Sequence, residues 1–320
     1  MYYIGVELGG TNIAVGLLDE SFKIIAKVKC PTRTERDISE IMDDMAALCN
    51  ALMEKNNLTP DDVAYIGIAT PGSVLPPKGM VAYSNNVKMR NFPISAELSA
   101  RTGVSKVYVE NDANAAALGE AIMGAGKGND NVIMITLGTG VGGGIVINRK
   151  LYSGFNFAGG ELGHTVVKTD GKPCSCGRKG CWEAYSSATG LKNMTKDKML
   201  ATKDTIMWEM VENNLENISG RTAFDAAKKG DKAGQEVVDE YIYYLAVGVA
   251  NMINIFQPNV LCIGGGVCGE GDYLLKPLTE LARSQEYGHA TRTQFTEIKI
   301  AELGNDAGII GAAYLGDLYK

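Results

Sequence analysis

Cys174, Cys176 and Cys181 stand close together in the segment ELGHTVVKTDGKPCSCGRKGCWE (161–183), with His164 one short hairpin upstream. A Cys₃His set is a composition that tetrahedral Zn²⁺ sites use. The chain has only two histidines, so one at this place carries information. Gly171, Gly177 and Gly180 let the loop turn sharply enough for three thiolates to converge. A disulfide is the other reading. It leaves one cysteine odd, and Cys174 and Cys176 are too close in sequence to pair comfortably. Protein fills all four positions, so the metal expected is structural rather than catalytic. Glu161 and Glu183 bracket the knot. Fixing the ends of the loop fixes both acids, which points to a polar pocket beside the metal; as unconnected residues they would be solvated surface glutamates.

Asp112 is the second candidate. SKVYVEND (105–112) reads as a strand and ANAAALGEAIMGAG as a helix, so the carboxylate sits at a strand's end and a helix's start, where ligands gather in α/β sheets. The other reading is a plain N-cap, a role that Asn111 would fill as well. A helix N-terminus favours the ionised form by up to about 1 kcal/mol, which predicts a weak base.

Phosphate chemistry is suggested by paired glycine turns. Gly9-Gly10-Thr11-Asn12 separates the strands YYIGVEL (2–8) and IAVGLLD (13–19), offering N–H groups and a hydroxyl to phosphate oxygens. It lacks the GK[ST] of a P-loop, and alone it reads equally as a hairpin. NVIMITLGTGVGGGIVINRKLY (131–152) repeats the pattern with Thr139 and Gly140 in its turn. Two such hairpins point to an internal duplication and two lobes. A third glycine turn, Gly264-Gly265-Gly266, ends the strand NVLCIGGGV (259–267) and has no side chains to keep a flat ring away.

The elements that position these residues follow from periodicity. A third strand (22–30) completes an opening meander. Ile38, Ile41, Met42, Met45, Leu48, Leu52 and Met53 fall at helical spacing, with Asp37 or Ser39 as cap. AYIGIAT (64–70) is a strand, followed by a long polar loop (73–94) holding Asn85 and Asn86, too long for a plain connector. Residues 185–240 look helical, with 191–220 charged and irregular, and the last long helix ends near Pro258. A final strand (296–303) precedes a terminal helix.

At 320 residues two domains are expected. A formal charge of −6 without a Lys/Arg run argues against nucleic acid or an anionic membrane as partner, and so against a zinc-knuckle nucleic-acid binder. No apolar run reaches membrane-span length, and Met1 leads directly into a strand without a signal-peptide pattern, so a cytoplasmic location is expected. Cys30, Cys49, Cys262 and Cys268 read as reduced core residues.

ELGGTN (7–12), NDAN (111–114), LGTGVGGG (137–144), ELGH (161–164), CSCGRKGCWE (174–183), IGGG (263–266) and LGNDAGIIGAA (303–313) stand in the order seen in ROK-family sugar kinases. The chain resembles that family over nearly its whole length, most specifically in ELGH with CxCGxxGCxE. The resemblance implies the α/β, two-lobed actin-like sugar-kinase ATPase fold, with ATP·Mg²⁺ and a hexose bound in the cleft between the lobes. Its lobes would be residues 1–113, with the terminal helix 306–320 packed on them, and 114–305, carrying the knot 161–183. Asp112 resembles the family's catalytic base and Asn111 its sugar-binding neighbour. Glu161, His164 and Glu183 look like sugar-hydroxyl ligands, and Asn86 is similar to a sugar-contacting Asn. His164, Cys174, Cys176 and Cys181 resemble the zinc ligands. Gly9, Gly10, Thr11 and Asn12 resemble the first phosphate loop, Thr139 and Gly140 the second, and Gly265 and Gly266 part of the adenosine pocket. Where Glu7 stands the family usually has Asp, an acid that assists Mg²⁺, often through water; the longer side chain would shift that metal. The implied activity is ATP-dependent phosphorylation of an aldohexose at its 6-hydroxyl, glucose first, with N-acetylmannosamine or N-acetylglucosamine as alternative sugars. A non-catalytic sugar sensor of the same fold is the alternative of another class. Family repressors carry an N-terminal helix-turn-helix; this chain begins at the first strand, which disfavours that class. A homodimer or homotetramer is expected.

Overall fold

Three opening strands, β1 (Tyr2–Leu8), β2 (Asn12–Leu18) and β3 (Ile24–Pro31), form the expected antiparallel meander, with Val6 opposite Val15 and Val15 opposite Val28. The computed structural model describes residues 1–319. Helix α1 (Ile38–Lys55) is capped by Asp37, whose N–H donates to Glu40 Oε2 at 3.2 Å. Strand β4 (Val63–Thr70) pairs parallel with β1. The predicted loop 73–94 is a small antiparallel sheet: β5 (Ser73–Leu75), β6 (Met80–Ser84) and β7 (Met89–Phe92), in that order. These strands are too short to declare a period, and Pro76 and Pro77 sit in a 3-10 turn between two of them. Helix α2 (Ile94–Thr102) leads to β8 (Val107–Asn111), parallel to β4, and then α3 (Asp112–Met123). The first sheet thus has the order β3-β2-β1-β4-β8. On one face Ile4, Val6, Val15 and Ile66 share a buried core with Met42, Met45 and Cys49 of α1.

The second hairpin is β9 (Val132–Leu137) with β10 (Val141–Ile147), followed by β11 (Lys150–Leu151). Helices α4 (Glu183–Ser186), α5 (Ala188–Ala201), α6 (Met207–Met210), α7 (Thr222–Lys228) and α8 (Lys232–Phe256) come next. Part of the stretch expected to be irregular is therefore a regular helix: α5 buries Leu191, Met194, Thr195 and Met199, a helical spacing hidden among lysines. Strand β12 (Val260–Gly264), helix α9 (Asp272–Ser284), strand β13 (Glu297–Ile300) and helix α10 (Ala307–Leu318) complete the chain. The second five-stranded sheet has the order β11-β10-β9-β12-β13. Numbered within itself, each sheet reads 3-2-1-4-5, which is the duplication that the two glycine hairpins suggested.

Two compact units result. The first comprises Met1–Met134, Gly144–Gly160 and the chain from Ala301 onward; the second comprises Ile135–Gly143 and Glu161–Ile300. The units divide after Met134 rather than at residue 113, because α3 packs on α10 by backbone contact. A Cβ on Gly311 would stand 1.7 Å from the Ala115 carbonyl oxygen, and one on Gly67 of β4 as close to that of Ala312. Only glycine allows approach of this kind. Among the described residues no helix is long and apolar enough to cross a membrane.

Candidate functional site

In the first unit, β8 hands over to α3 at Asn111-Asp112. Asn111 is the cap: its Oδ1 accepts from the N–H groups of Ala113 and Asn114, at 2.9 and 3.3 Å, and its Nδ2 donates to the Gly72 carbonyl at 3.2 Å. That leaves Asp112, whose Oδ1 accepts from the Ala113 N–H at 2.9 Å, free of the cap's role. Burial raises its carboxyl above the usual aspartate range, outweighing the hydrogen bonds from Ala113, its own N–H and Asn111 that pull the other way. The sequence predicted a base weakened by the helix terminus; dehydration by neighbouring chain reverses the sign.

Glu7, at the end of β1, faces the same place. Burial, together with the carboxylates of Asp112 and Asp306, pushes it up to about 7, against a lowering by Lys27. Lys27 pairs with Asp306, the residue just before α10, whose side chain makes no capping bond to the helix. Gly308 makes room for Glu7, since a Cβ there would meet its carboxyl carbon at 3.0 Å. Sequence reasoning assigned no role to Asp306 or Lys27. A signal existed: Asn-Asp-Ala occurs at 111–113 and again at 305–307, each time leading into a helix.

Glu7 binds its proton more tightly in the folded chain than in the unfolded one, so the folded state loses stability as pH rises from about 4.5 to about 7. Glu7→Gln in the ligand-free protein is expected to flatten that slope and to raise the melting temperature more at pH 8 than at pH 4.5. Equal shifts at both pH values would contradict the cluster.

The first glycine turn is a closed hairpin in which the Gly9 N–H donates to the Asn12 carbonyl at 2.9 Å. Thr32 braces it, its hydroxyl donating to the Gly9 carbonyl at 2.6 Å and its N–H to that of Thr11 at 2.9 Å. Gly10, Thr11 and Asn12 remain exposed. Asn86 lies against the turn, 3.7 Å from where a Cβ on Gly10 would stand.

In the second unit, the donor atoms of His164, Cys174, Cys176 and Cys181 lie within 4.8 Å of one another. Cys174 Sγ is 3.7 Å from His164 Nδ1, and Cys176 Sγ is 3.6 Å from Cys181 Sγ. A tetrahedron with metal–sulfur bonds of about 2.3 Å has edges of about 3.8 Å, so the donor set fits Zn²⁺. Gly177 (φ +86°) and Gly180 (φ +79°) make the turns that this convergence needs. The Arg178 N–H draws Cys176 down to about 6, whereas burial pushes Cys181 up to about 11.

Glu183 begins α4 and reaches in two directions. Its Oε2 accepts from the Val141 N–H at 3.0 Å and its Oε1 from the Ser175 hydroxyl at 3.1 Å. A Cβ on Gly140 would fall 2.3 Å from that Oε2, so the Thr139–Gly140 turn closes directly over the carboxylate. Glu161 is exposed, and its carbonyl accepts from the His164 N–H at 3.1 Å. Gly265 (φ +108°) rests on the end of β9, where a Cβ would meet the Leu137 carbonyl oxygen at 2.2 Å; Gly266 faces open space. The second glycine turn, the Cys₃His knot and the third glycine loop therefore gather around the end of β9.

The ROK family profile matches residues 3–317. The chain belongs to the ROK family. A Thermotoga maritima glucokinase is 37% identical over 311 residues, which cover 97% of this chain and 95% of that protein. A glucokinase of Halalkalibacterium halodurans is 36% identical, covering 98% of this chain and 94% of its own. The structure is similar to that of a ROK family glucokinase from Streptomyces griseus, solved in complex with glucose and AMPPNP. There the TM-score is 0.80 at 35% identity, with 98% of this chain and 99% of that one covered. The α/β actin-like sugar-kinase fold expected from the sequence is thus the fold of this ROK chain.

Proposed function

We propose that this chain is an ATP-dependent hexose kinase that transfers the γ-phosphoryl group to the 6-hydroxyl of an aldohexose, glucose first. The observation that carries the reading is the Asn111–Asp112 junction, where one residue caps the helix and frees its neighbour's part-buried carboxyl. The glucokinases similar to this chain over nearly its whole length support it.

In this reading Asp112 orients the attacking hydroxyl and takes its proton. Phosphoryl transfer has a loose transition state in which that proton leaves late, so positioning matters more than basicity. Such assistance is worth about 10²–10⁴-fold. The Gly9–Asn12 turn and the Thr139–Gly140 turn offer N–H groups and hydroxyls to the phosphates. Gly266 leaves space for the adenosine, and Gly265 holds that loop against the end of β9. Asn86, Asn111, Glu161, His164 and Glu183 hold sugar hydroxyls. Mg²⁺ bound with the nucleotide would neutralise phosphate charge, and Glu7, whose carboxyl feels the charges of Asp112 and Asp306, would assist it. His164, Cys174, Cys176 and Cys181 would hold a structural Zn²⁺.

A coupled ADP-release assay with a sugar panel tests the proposal. Glucose is expected to give the highest kcat/KM, above N-acetylmannosamine and N-acetylglucosamine. No sugar-dependent ADP release from any hexose would leave the sugar-sensor reading in its place.

A further inference from the structure

Behind Asp112 lies a buried carboxylate that the chemistry above does not use. Glu110, the residue before the cap, is 2% exposed in the middle of the first unit. Its Oε1 accepts from the Asn111 N–H at 2.8 Å and from Asn114 Nδ2 at 3.0 Å. Its Oε2 accepts from the Tyr319 hydroxyl at 2.5 Å. All three partners are neutral. A carboxylate loses much of its hydration when buried, and three neutral donors satisfy its lone pairs without supplying a counter-charge. An apolar residue would fill the same space at less cost, so packing alone does not account for the acid.

The bonds show what the carboxylate holds. Asn111 and Asn114 flank Asp112 in sequence, and Asn111 is itself the cap of α3. One oxygen thus fixes the peptide group entering the cap and the side chain one turn further on. The other oxygen is held by the residue that ends α10. The Tyr319 ring lies 6.3 Å from that of Tyr108, at 26° to it, and Tyr108 meets Tyr65 edge-on at 5.5 Å. These stacked rings fix the hydroxyl in place. Burial and the adjacent carboxylate raise the phenol well above its ordinary range, so the hydroxyl stays a donor at any working pH.

We propose that Glu110 and Tyr319 are positioning residues for Asp112: the end of the terminal helix, acting through the Glu110 carboxylate, sets the orientation of the Asn111–Asn114 turn. The inference rests on the kinase reading for its effect on turnover, but the clamp itself can be read without activity.

The experiment measures steady-state kinetics with glucose and ATP, thermal melting, and amide exchange in peptides covering residues 110–116, for the full chain and three variants. Glu110→Ala is expected to lower kcat at least about tenfold, on the scale of the hundredfold that a misplacement of about 1 Å can cost, with the sugar KM changed less. Exchange in that turn should speed up at least about tenfold. Glu110→Gln, which keeps the acceptor facing Asn111 and Asn114, should recover most of both losses. Tyr319→Phe removes one hydroxyl near the chain's end and should lower kcat about threefold while leaving the melting temperature within a few degrees. Wild-type kcat and wild-type exchange in a folded Glu110→Ala overturn the proposal. If Glu110→Ala does not melt cooperatively, Tyr319→Phe decides: unchanged kcat and exchange overturn it. Should the wild type release no ADP with any hexose, the kinase reading fails, and the exchange measurements still decide whether the clamp exists.

Discussion

Asp112→Asn is expected to lower kcat by at least about a hundredfold while the sugar KM stays within a few-fold of wild type. The substitution is nearly isosteric. Its remaining oxygen can still accept from the Ala113 N–H, and the cap of α3 belongs to Asn111, so the helix keeps its start. What is lost is the negative charge and the proton acceptor. Ground-state contacts to sugar hydroxyls survive, which is why the effect should fall on kcat. The pH profile gives a second check. Asp112 must be ionised to accept a proton, and burial raises its carboxyl, so activity on acidification should begin to fall above the usual aspartate range of about 4. The substitution also removes one of the charges that push Glu7 up to about 7, so Glu7 should titrate lower in the variant. Ordinary turnover in Asp112→Asn would take the residue out of the mechanism.

What could be read from the sequence was whatever local spacing determines. The convergence of His164 with the three cysteines, the two glycine hairpins and the strand-to-helix junction at Asp112 are built from near neighbours, and each stands where its motif placed it. The burial that raises Asp112, and the charges around Glu7 beside it, were not readable, because they depend on how distant parts of the chain pack. Glu7 comes from the first strand and Asp306 from just before the last helix, and only the fold brings them to one place. The role of Glu110 was hidden for the same reason, since Tyr319 lies at the far end of the chain. The sheet within 73–94 escaped because its strands are three to five residues long and interrupted by prolines. The helix α5 escaped for a different reason: its buried positions were outweighed by the lysines between them. Glu183 shows the limit of motif spacing most clearly. The sequence paired it with Glu161 as a bracket, but the structure gives it a structural bond to each side, to Ser175 in the knot and to Val141 after the second glycine turn.

That double attachment shapes the outcome of metal removal. Stripping Zn²⁺ with a chelator is expected to raise the sugar KM at least about tenfold and the ATP KM by less, with both restored by added Zn²⁺. A structural zinc site contributes on the order of 10 kcal/mol to ordering a small loop, and residues 172–180 bury no apolar side chain of their own to replace it. Glu161, His164 and Glu183, the proposed sugar ligands of this unit, all lie at or within the ends of the 161–183 segment that the knot closes. The Thr139–Gly140 turn meets Glu183 through the Val141 N–H, a bond to a charged group worth about 1.5–3 kcal/mol, and its strand β10 also packs on Leu162 and Gly163, outside the knot, so the nucleotide side should suffer less. Two readouts do not need turnover: metal content should fall by one equivalent per chain, and Cys174, Cys176 and Cys181 should become reactive to a thiol reagent together. Cys176→Ser should reproduce the chelated state. If the metal is removed completely and the sugar KM does not move, the knot does not hold the sugar ligands in place, and Glu183 serves the glycine turn alone.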